Sequence, residues 1–235
     1  MNHNNQKLRE HHSLMEGQRS SSYAIFADAP EYWFSYDGYL DTFRQFDQRK
    51  ETVNILNIGA ATGILEFLAL RDIPNLHFVS VDNSKDFTER FCQKNKDAMA
   101  EGRVEHVFTP IQNYKTEQKF DIIIARDFNH HIEKDDIKLY LRHCYNMLAE
   151  GGIIIMEDLK REAESIGVPA LVKVVYDIPA FRNDDFNRYH KIIGIIDSYF
   201  VAYHTKEMEY LLEELGLQYE LENEKYRYKF IVKPS

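Results

Sequence analysis

The sequence has little of what marks a secreted, membrane-spanning or nucleic-acid-coating protein. Its 235 residues include two cysteines, Cys92 and Cys144, and neither stands in a CxxC or other metal-ligand spacing. That argues against a disulfide framework or a zinc site and for two reduced thiols. The purely apolar runs are short, such as Ile122–Ala125 and Ile153–Met156, whereas a membrane-spanning helix needs roughly 18 apolar residues or more. The opening MNHNNQKLREHH has no apolar core, so no secretory signal is expected and the cytoplasm is the expected compartment. Basic residues number 29 against 38 acidic ones, a net charge of −9, and they form no stripe or block. A nucleic-acid face needs clustered cations to replace counterions, so neither a nucleic-acid nor a membrane partner is expected. There is no internal repeat, and the only biased stretch is the Asn/His/Ser-rich span 1–22, expected to be a polar, mobile tail.

Aromatic residues are abundant. Fifteen Tyr, fifteen Phe and one Trp sit in a chain that is 44% hydrophobic, enough for a packed core. From residue 53 short β-rich runs alternate with helical patterns. Val53–Ile58, His77–Val81, Val104–Phe108, Phe120–Ala125 and Ile153–Glu157 read as strands; Ile64–Arg71, Ser84–Ala100 and Asp136–Ala149 read as helices. Ser84 is the expected N-cap of the second helix, with Gly102 and the Gly151–Gly152 pair as stops. Strands apolar at successive positions are covered on both faces, which predicts a doubly wound α/β sheet. Residues 160–203 break the alternation. Thr205 then caps a helix, Lys206–Leu215, and Leu217–Glu222 with Tyr226–Val232 form an antiparallel hairpin.

The chemistry is concentrated in Val53-Asn-Ile-Leu-Asn-Ile-Gly-Ala-Ala-Thr-Gly63, which runs directly into a helix. Gly59 and Gly63 bracket a tight turn, small Ala60 and Ala61 allow close approach of a ligand, and the helix start offers free N–H groups. The loop is neither the GxGxxG of dinucleotide folds nor a phosphate-binding P-loop. Asp82 closes the second strand 19 residues after Gly63 (82 − 63), where a carboxylate can accept hydrogen bonds from a ribose diol.

With these segments the chain resembles the class I S-adenosylmethionine-dependent methyltransferases of small-molecule type, well over residues 50–158 and more loosely over 205–235. LNIGAATG is similar to that family's first motif, VSVDNS to its ribose-binding motif and VEHVFTPIQNY to its adenine-side segment. FDIIIARDFNHHI is similar to the fourth motif, and YLRHCYNMLAEGGIIIMEDL to the helix and strand that follow. The resemblance implies a Rossmann-like, seven-stranded, mostly parallel sheet with an antiparallel last strand. It implies a domain over 51–235, a helical cap from residues 23–50 and a cap insertion at 160–203, read either as a lid or as a dimer contact. S-adenosyl-L-methionine is the implied cofactor. Asn57, Gly59, Ala61 and Gly63 then line the methionine and ribose side, Asp82 holds the ribose, Asn83, Ile111 and Gln112 meet the adenine, and Ala125, Arg126 and Asp127 approach the methionine. The sequence departs from the family pattern at Asn57, where an acid is usual, at Pro110 before the adenine contact, and at Ala61 in place of a glycine.

Methyl transfer is an in-line displacement that chiefly requires alignment and exclusion of water, with a base only for a protonated nucleophile. His130 and His131, just after the fourth strand, are the base candidates. Asp127 and Asp158 both follow parallel strands, but Glu157-Asp158-Leu159 lacks the Asp-Asn pair of metal-dependent relatives, and no metal is expected. Sixteen of the thirty-one aromatics lie in Tyr23–Phe46 and Tyr176–Tyr203, outside the cofactor motifs. Aromatic faces suit a sulfonium, and Tyr23, Trp33, Tyr36 and Tyr176 are the expected pocket members, Tyr176 also as a catalytic candidate. The expected reaction is methylation of a small, uncharged or cationic metabolite, in a biosynthetic role and by an enzyme that forms a homodimer. Two alternatives stand beside it: a cyclase in which the cofactor's own amine attacks its side chain and methylthioadenosine leaves, and a non-catalytic cofactor-binding regulator.

Overall fold

Consecutive β-branched residues cannot all face one side of a strand, so each such run has to be covered twice. In the computed structural model, which describes residues 18–48 and 51–234, these runs lie among five parallel strands. They are β1 (Val53–Ile58), β2 (Leu76–Asp82), β3 (Val104–Phe108), β4 (Phe120–Arg126) and β5 (Leu148–Leu159). With β6 (Gln218–Asn223) and β7 (Arg227–Lys233) they form one seven-stranded sheet of order β3-β2-β1-β4-β5-β7-β6. Only β7 runs against the others, paired antiparallel with both β5 and β6. The strand order reverses between β1 and β4, which opens a crevice at their carboxyl ends.

Nine helices surround the sheet among the described residues: α1 (Gln18–Ala27), α2 (Asp37–Asp47), α3 (Ile64–Asp72), α4 (Lys85–Lys94), α5 (Lys96–Ala100), α6 (Ile137–Asn146), α7 (Glu164–Asp177), α8 (Asp185–Val201) and α9 (Thr205–Glu214). The period-two alternation of β4 divides its isoleucines between two cores. Ile123 packs with Tyr140 and Leu141 of α6 and Met208 and Leu212 of α9, whereas Ile122 and Ile124 pack with Phe43 of α2 and Leu65 and Leu68 of α3. All three isoleucines are fully buried, each worth about 1.5–3 kcal/mol of hydrophobic stabilisation. A third cluster, including Phe26, Tyr32, Leu171, Phe181 and Tyr199, joins α1, the 3-10 turn Pro30–Tyr36, α7 and α8 into a cap. Residues 160–203, alternatively a lid or a dimer contact, thus contribute a helical hairpin, and its helices meet closely: a Cβ at Gly167 would overlap the Tyr199 hydroxyl.

Several local expectations change. Ser84 does cap its helix, its hydroxyl accepting from the Phe87 N–H, but Asn95 divides Ser84–Ala100 into α4 and α5. Its amide turns inward and donates to the Gly63 carbonyl at 3.0 Å. Gly151 and Gly152 lie within β5 rather than ending α6, because β4 passes so closely that a Cβ at Gly152 would meet the Phe120 and Asp121 carbonyls at 2.9 and 3.0 Å. His204 caps α9 in a reciprocal arrangement with Glu207, while the Thr205 hydroxyl binds Glu162. α1 begins at Gln18, inside the span read as tail; residues 1–17 of that span lie outside the described residues.

Candidate functional site

The turn after β1 is held in a conformation that side chains resist. Gly59 and Gly63 both have φ of 71°, and Ala61, which does carry a Cβ, has φ of 47°, a strained placement costing on the order of 1–2 kcal/mol. Close approach reinforces the glycine requirement, since a Cβ at Gly59 would overlap the Phe128 ring and one at Gly63 would overlap Asn95 and Phe91. Asp82 braces the turn. Its carboxylate accepts from the Ala61 N–H at 2.9 Å and the Ser84 N–H at 2.8 Å, which leaves acceptor capacity on both oxygens. Burial raises its pKa, against the opposing pull of these N–H groups.

Two cavities meet above this turn. The outer one, about 380 Å³, is lined by Gly59, Ala61, Asp82, Asn83, Ile111, Gln112, Arg126 and Asp127, with Phe87 and Phe128 as aromatic walls. A ligand pocket generally needs about 300 Å³ or more. The inner cavity, about 100 Å³, lies under the cap and shares Tyr23, Gly59, Ala61, Arg126, Asp127 and His131 with the outer one. Three of the residues expected around the cofactor do not line the outer cavity. Gly63 is the N-cap of α3, behind the turn. Ala125 is completely buried in the α6–α9 core. Asn57 lines the inner cavity and donates at 2.7 Å to Glu66, which also accepts from Ser80. Glu66 is fully buried, and burial raises its pKa despite those two hydrogen bonds.

Charges are tightly matched where the cavities join. Arg227 donates to both oxygens of Asp127 at 2.7 and 3.1 Å and to Glu157 at 3.1 Å. Arg126 lies 3.5 Å from Glu157, with its guanidinium 4.2 Å from the Tyr36 ring centroid, and Tyr39 donates to Glu157 at 2.8 Å. Burial disfavours the Asp127 carboxylate, but the two guanidiniums outweigh it and hold its pKa at about 2. Asp127 also adopts φ of 51°, which turns its side chain back toward β7. His130 is fixed from the next strand end: Asp158 lies 2.8 Å from its Nδ1 and accepts its backbone N–H at 3.0 Å. Burial pushes the imidazole pKa down, and Asp158 more than reverses this, leaving it raised. Asp127 and Asp158 therefore serve different partners, and no cluster of three potential metal ligands occurs among the described residues.

The structure brings some of the remaining sequence candidates together and separates others. His130 lines the inner cavity and His131 both; Tyr23 lines both and Tyr36 the inner one. Trp33 and Tyr176 line neither. Trp33 packs on the core that contains Tyr36 and Tyr39, and Tyr176 is 58% exposed with Arg188 4.9 Å above its ring. Aromatic character in a cap segment suggests the pocket for both, whereas the local backbone geometry decides which side of the cap each faces. Sequence reasoning missed Arg227, Glu157 and Lys191. Lys191, with Ile195 and Tyr199 at i+4 and i+8, shares the buried face of α8, a spacing legible in the sequence.

Comparison with known proteins agrees with this architecture. Residues 56–154 match a family model described as a methyltransferase domain. Malonyl-[acyl-carrier protein] O-methyltransferase 1 of Ilyobacter polytropus is 30% identical over 105 residues, which are 45% of this chain and 37% of that protein. The chain therefore spans little more than a third of that curated relative. Among solved structures, the plantazolicin methyltransferase BpumL in complex with a monoazolic desmethylPZN analog and SAH superposes with a TM-score of 0.65 at 16% identity, covering 100% of both chains. An O-methyltransferase family protein from Burkholderia thailandensis superposes with a TM-score of 0.60 at 13% identity, over 85% of this chain and 56% of the other. No helix among the described residues is long and apolar enough to cross a membrane. Residues 56–154 are thus similar to a methyltransferase domain, and the chain has the class I S-adenosylmethionine-dependent methyltransferase fold.

Proposed function

We propose that the protein methylates a small-molecule acceptor whose reacting end enters the inner cavity, with S-adenosylmethionine in the outer one. The observation that carries this reading is the junction of the two cavities at Gly59, Ala61, Asp127 and His131, beside a braced glycine turn. The residues present fit the cofactor. Asp82 retains acceptor capacity for a ribose diol while it supports the turn. Ile111 and Gln112 offer the adenine an apolar face and an amide, and Phe87 a ring. When bound, the cofactor supplies an electrophilic methyl group. The chain's own contribution is placement and exclusion of water, through the cap that closes the inner cavity. For an acceptor that arrives protonated, His130 is the base, its ring oriented by Asp158. The homodimer and the cytoplasmic location expected from the sequence belong to the same proposal; sedimentation velocity reads the former.

Incubation with S-adenosylmethionine, with and without candidate acceptors, tests the reaction. S-adenosylhomocysteine formed only with an acceptor is the expected result. Methylthioadenosine formed without one would establish the cyclase instead. Asp82→Asn is expected to weaken calorimetric binding of S-adenosylhomocysteine tenfold or more, and unchanged affinity would remove Asp82 from the ribose site.

A further inference from the structure

The inner cavity contains a charge without a counter-charge. Arg126 and Arg227 are matched by Asp127 and Glu157, two cations against two anions in one ion-paired group. Lys191 is outside that balance. It is nine-tenths buried and lines the inner cavity. Its ammonium lies 4.4 Å from the Tyr23 ring centroid and 4.2 Å from that of Phe26, two rings that line the same cavity. Among the described residues no carboxylate is within ion-pair distance of it, and it donates no hydrogen bond. Two aromatic faces offset part of the cost of desolvating a cation, but less than burying an ammonium takes. Accordingly burial lowers its pKa to about 8, Asp127 pulling the other way and Arg227 adding to the fall. A protein gains nothing in stability from such a lysine, whereas a ligand that delivers an anion to it gains a strong, desolvated partner.

We propose that the inner cavity takes a carboxylate, anchored by the ammonium of Lys191. Under the proposed function two molecules carry one to this place: the acceptor itself, or the amino-acid end of the cofactor at the junction of the cavities. Only the naming of those sources rests on that function; the unbalanced charge stands without it. An acceptor held this way is anionic, in contrast to the uncharged or cationic metabolite expected from composition.

Calorimetry on the full chain and its Lys191→Met variant separates the sources. The probes are S-adenosylhomocysteine, methylthioadenosine, which lacks the amino-acid end, and phenylacetate against phenylacetamide on cofactor-product-loaded protein. A tenfold or greater loss for S-adenosylhomocysteine with methylthioadenosine unaffected assigns the cofactor's carboxylate. A comparable loss for phenylacetate with phenylacetamide unaffected assigns the acceptor's. Equal effects on charged and neutral probes, or none, would overturn the proposal. If the unmodified protein binds neither nucleoside, the cofactor reading has failed, and the phenylacetate pair on free protein still tests Lys191. A measurement on the unmodified chain covers a variant that does not fold. Lysine side-chain nitrogen NMR, with the Lys191 signal assigned from Lys191→Arg, should show its titration moving to higher pH with a carboxylate probe and staying put with the neutral one. A titration that moves for neither overturns the proposal.

Discussion

Arg227 holds Asp127 across 100 residues of sequence through two hydrogen bonds of 2.7 and 3.1 Å. The contact depends on the direction of a single strand. β7 runs against its neighbours, so its first residue, paired with Leu159, lies at the carboxyl end of β5, where Asp127 follows β4. A parallel β7 would place its first residue at the opposite end of the sheet.

That ion pair makes the fold acid-sensitive in a defined window. The pKa of Asp127 is depressed to about 2, below the unfolded value of about 3.9. Its contribution is therefore present above the unfolded value and lost as pH falls through the folded one. It amounts to about 2.5 kcal/mol, and Asp127→Asn should flatten the acid limb of urea-derived unfolding free energies between pH 5 and 2. Arg227→Met, which removes both hydrogen bonds to Asp127 and one of those to Glu157, should cost about 3–5 kcal/mol at neutral pH.

Glu66 has the opposite sign. Its raised pKa means that the protonated form suits the fold, so its favourable contribution is present at low pH and lost as pH rises through the folded value. Glu66→Gln keeps an acceptor for Asn57 and Ser80 without the charge. The variant should match the parent near pH 4 and equal or exceed it in melting temperature at pH 8. A variant less stable at pH 8 than at pH 4, relative to the parent, would refute the assignment.

His130 titrates above the ordinary imidazole value because of Asp158. The stability from this pairing is complete below the unfolded value of about 6.5 and disappears as pH rises through the folded value. Proton NMR of the His130 ring should show its pKa fall by about one unit or more in Asp158→Asn, and the stability difference between parent and variant should shrink above that window.

Gly59→Ala adds a Cβ at positive φ that overlaps Phe128. The strain is about 1–2 kcal/mol and the overlap about 1–3 more. Differential scanning calorimetry should show a clear loss of melting temperature, partly restored by Phe128→Leu, because only the overlap is relieved. Gly102→Ala, where a Cβ meets nothing within 4 Å, should show the strain alone.

The fold was largely legible in the chain because its signals are local. Runs such as Ile122–Ile124 demand cover on two faces, Gly59 and Gly63 demand a turn, and Asp82 stands at a strand end that the apolar pattern itself defines. These features require only near neighbours in sequence to be understood. Trp33 and Tyr176 show the limit, since an aromatic residue in a cap segment carries no label for the side it will face. The α/β sheet, the glycine turn and its acid are encoded in local patterns of residues. The charge pattern of the site exists only in the folded chain: Arg227 on Asp127, His130 on Asp158, and Lys191 buried without an anion. Each depends on strand ends and a helix face from distant segments meeting in one low-dielectric space, where distance and burial, rather than residue identity, set the energies.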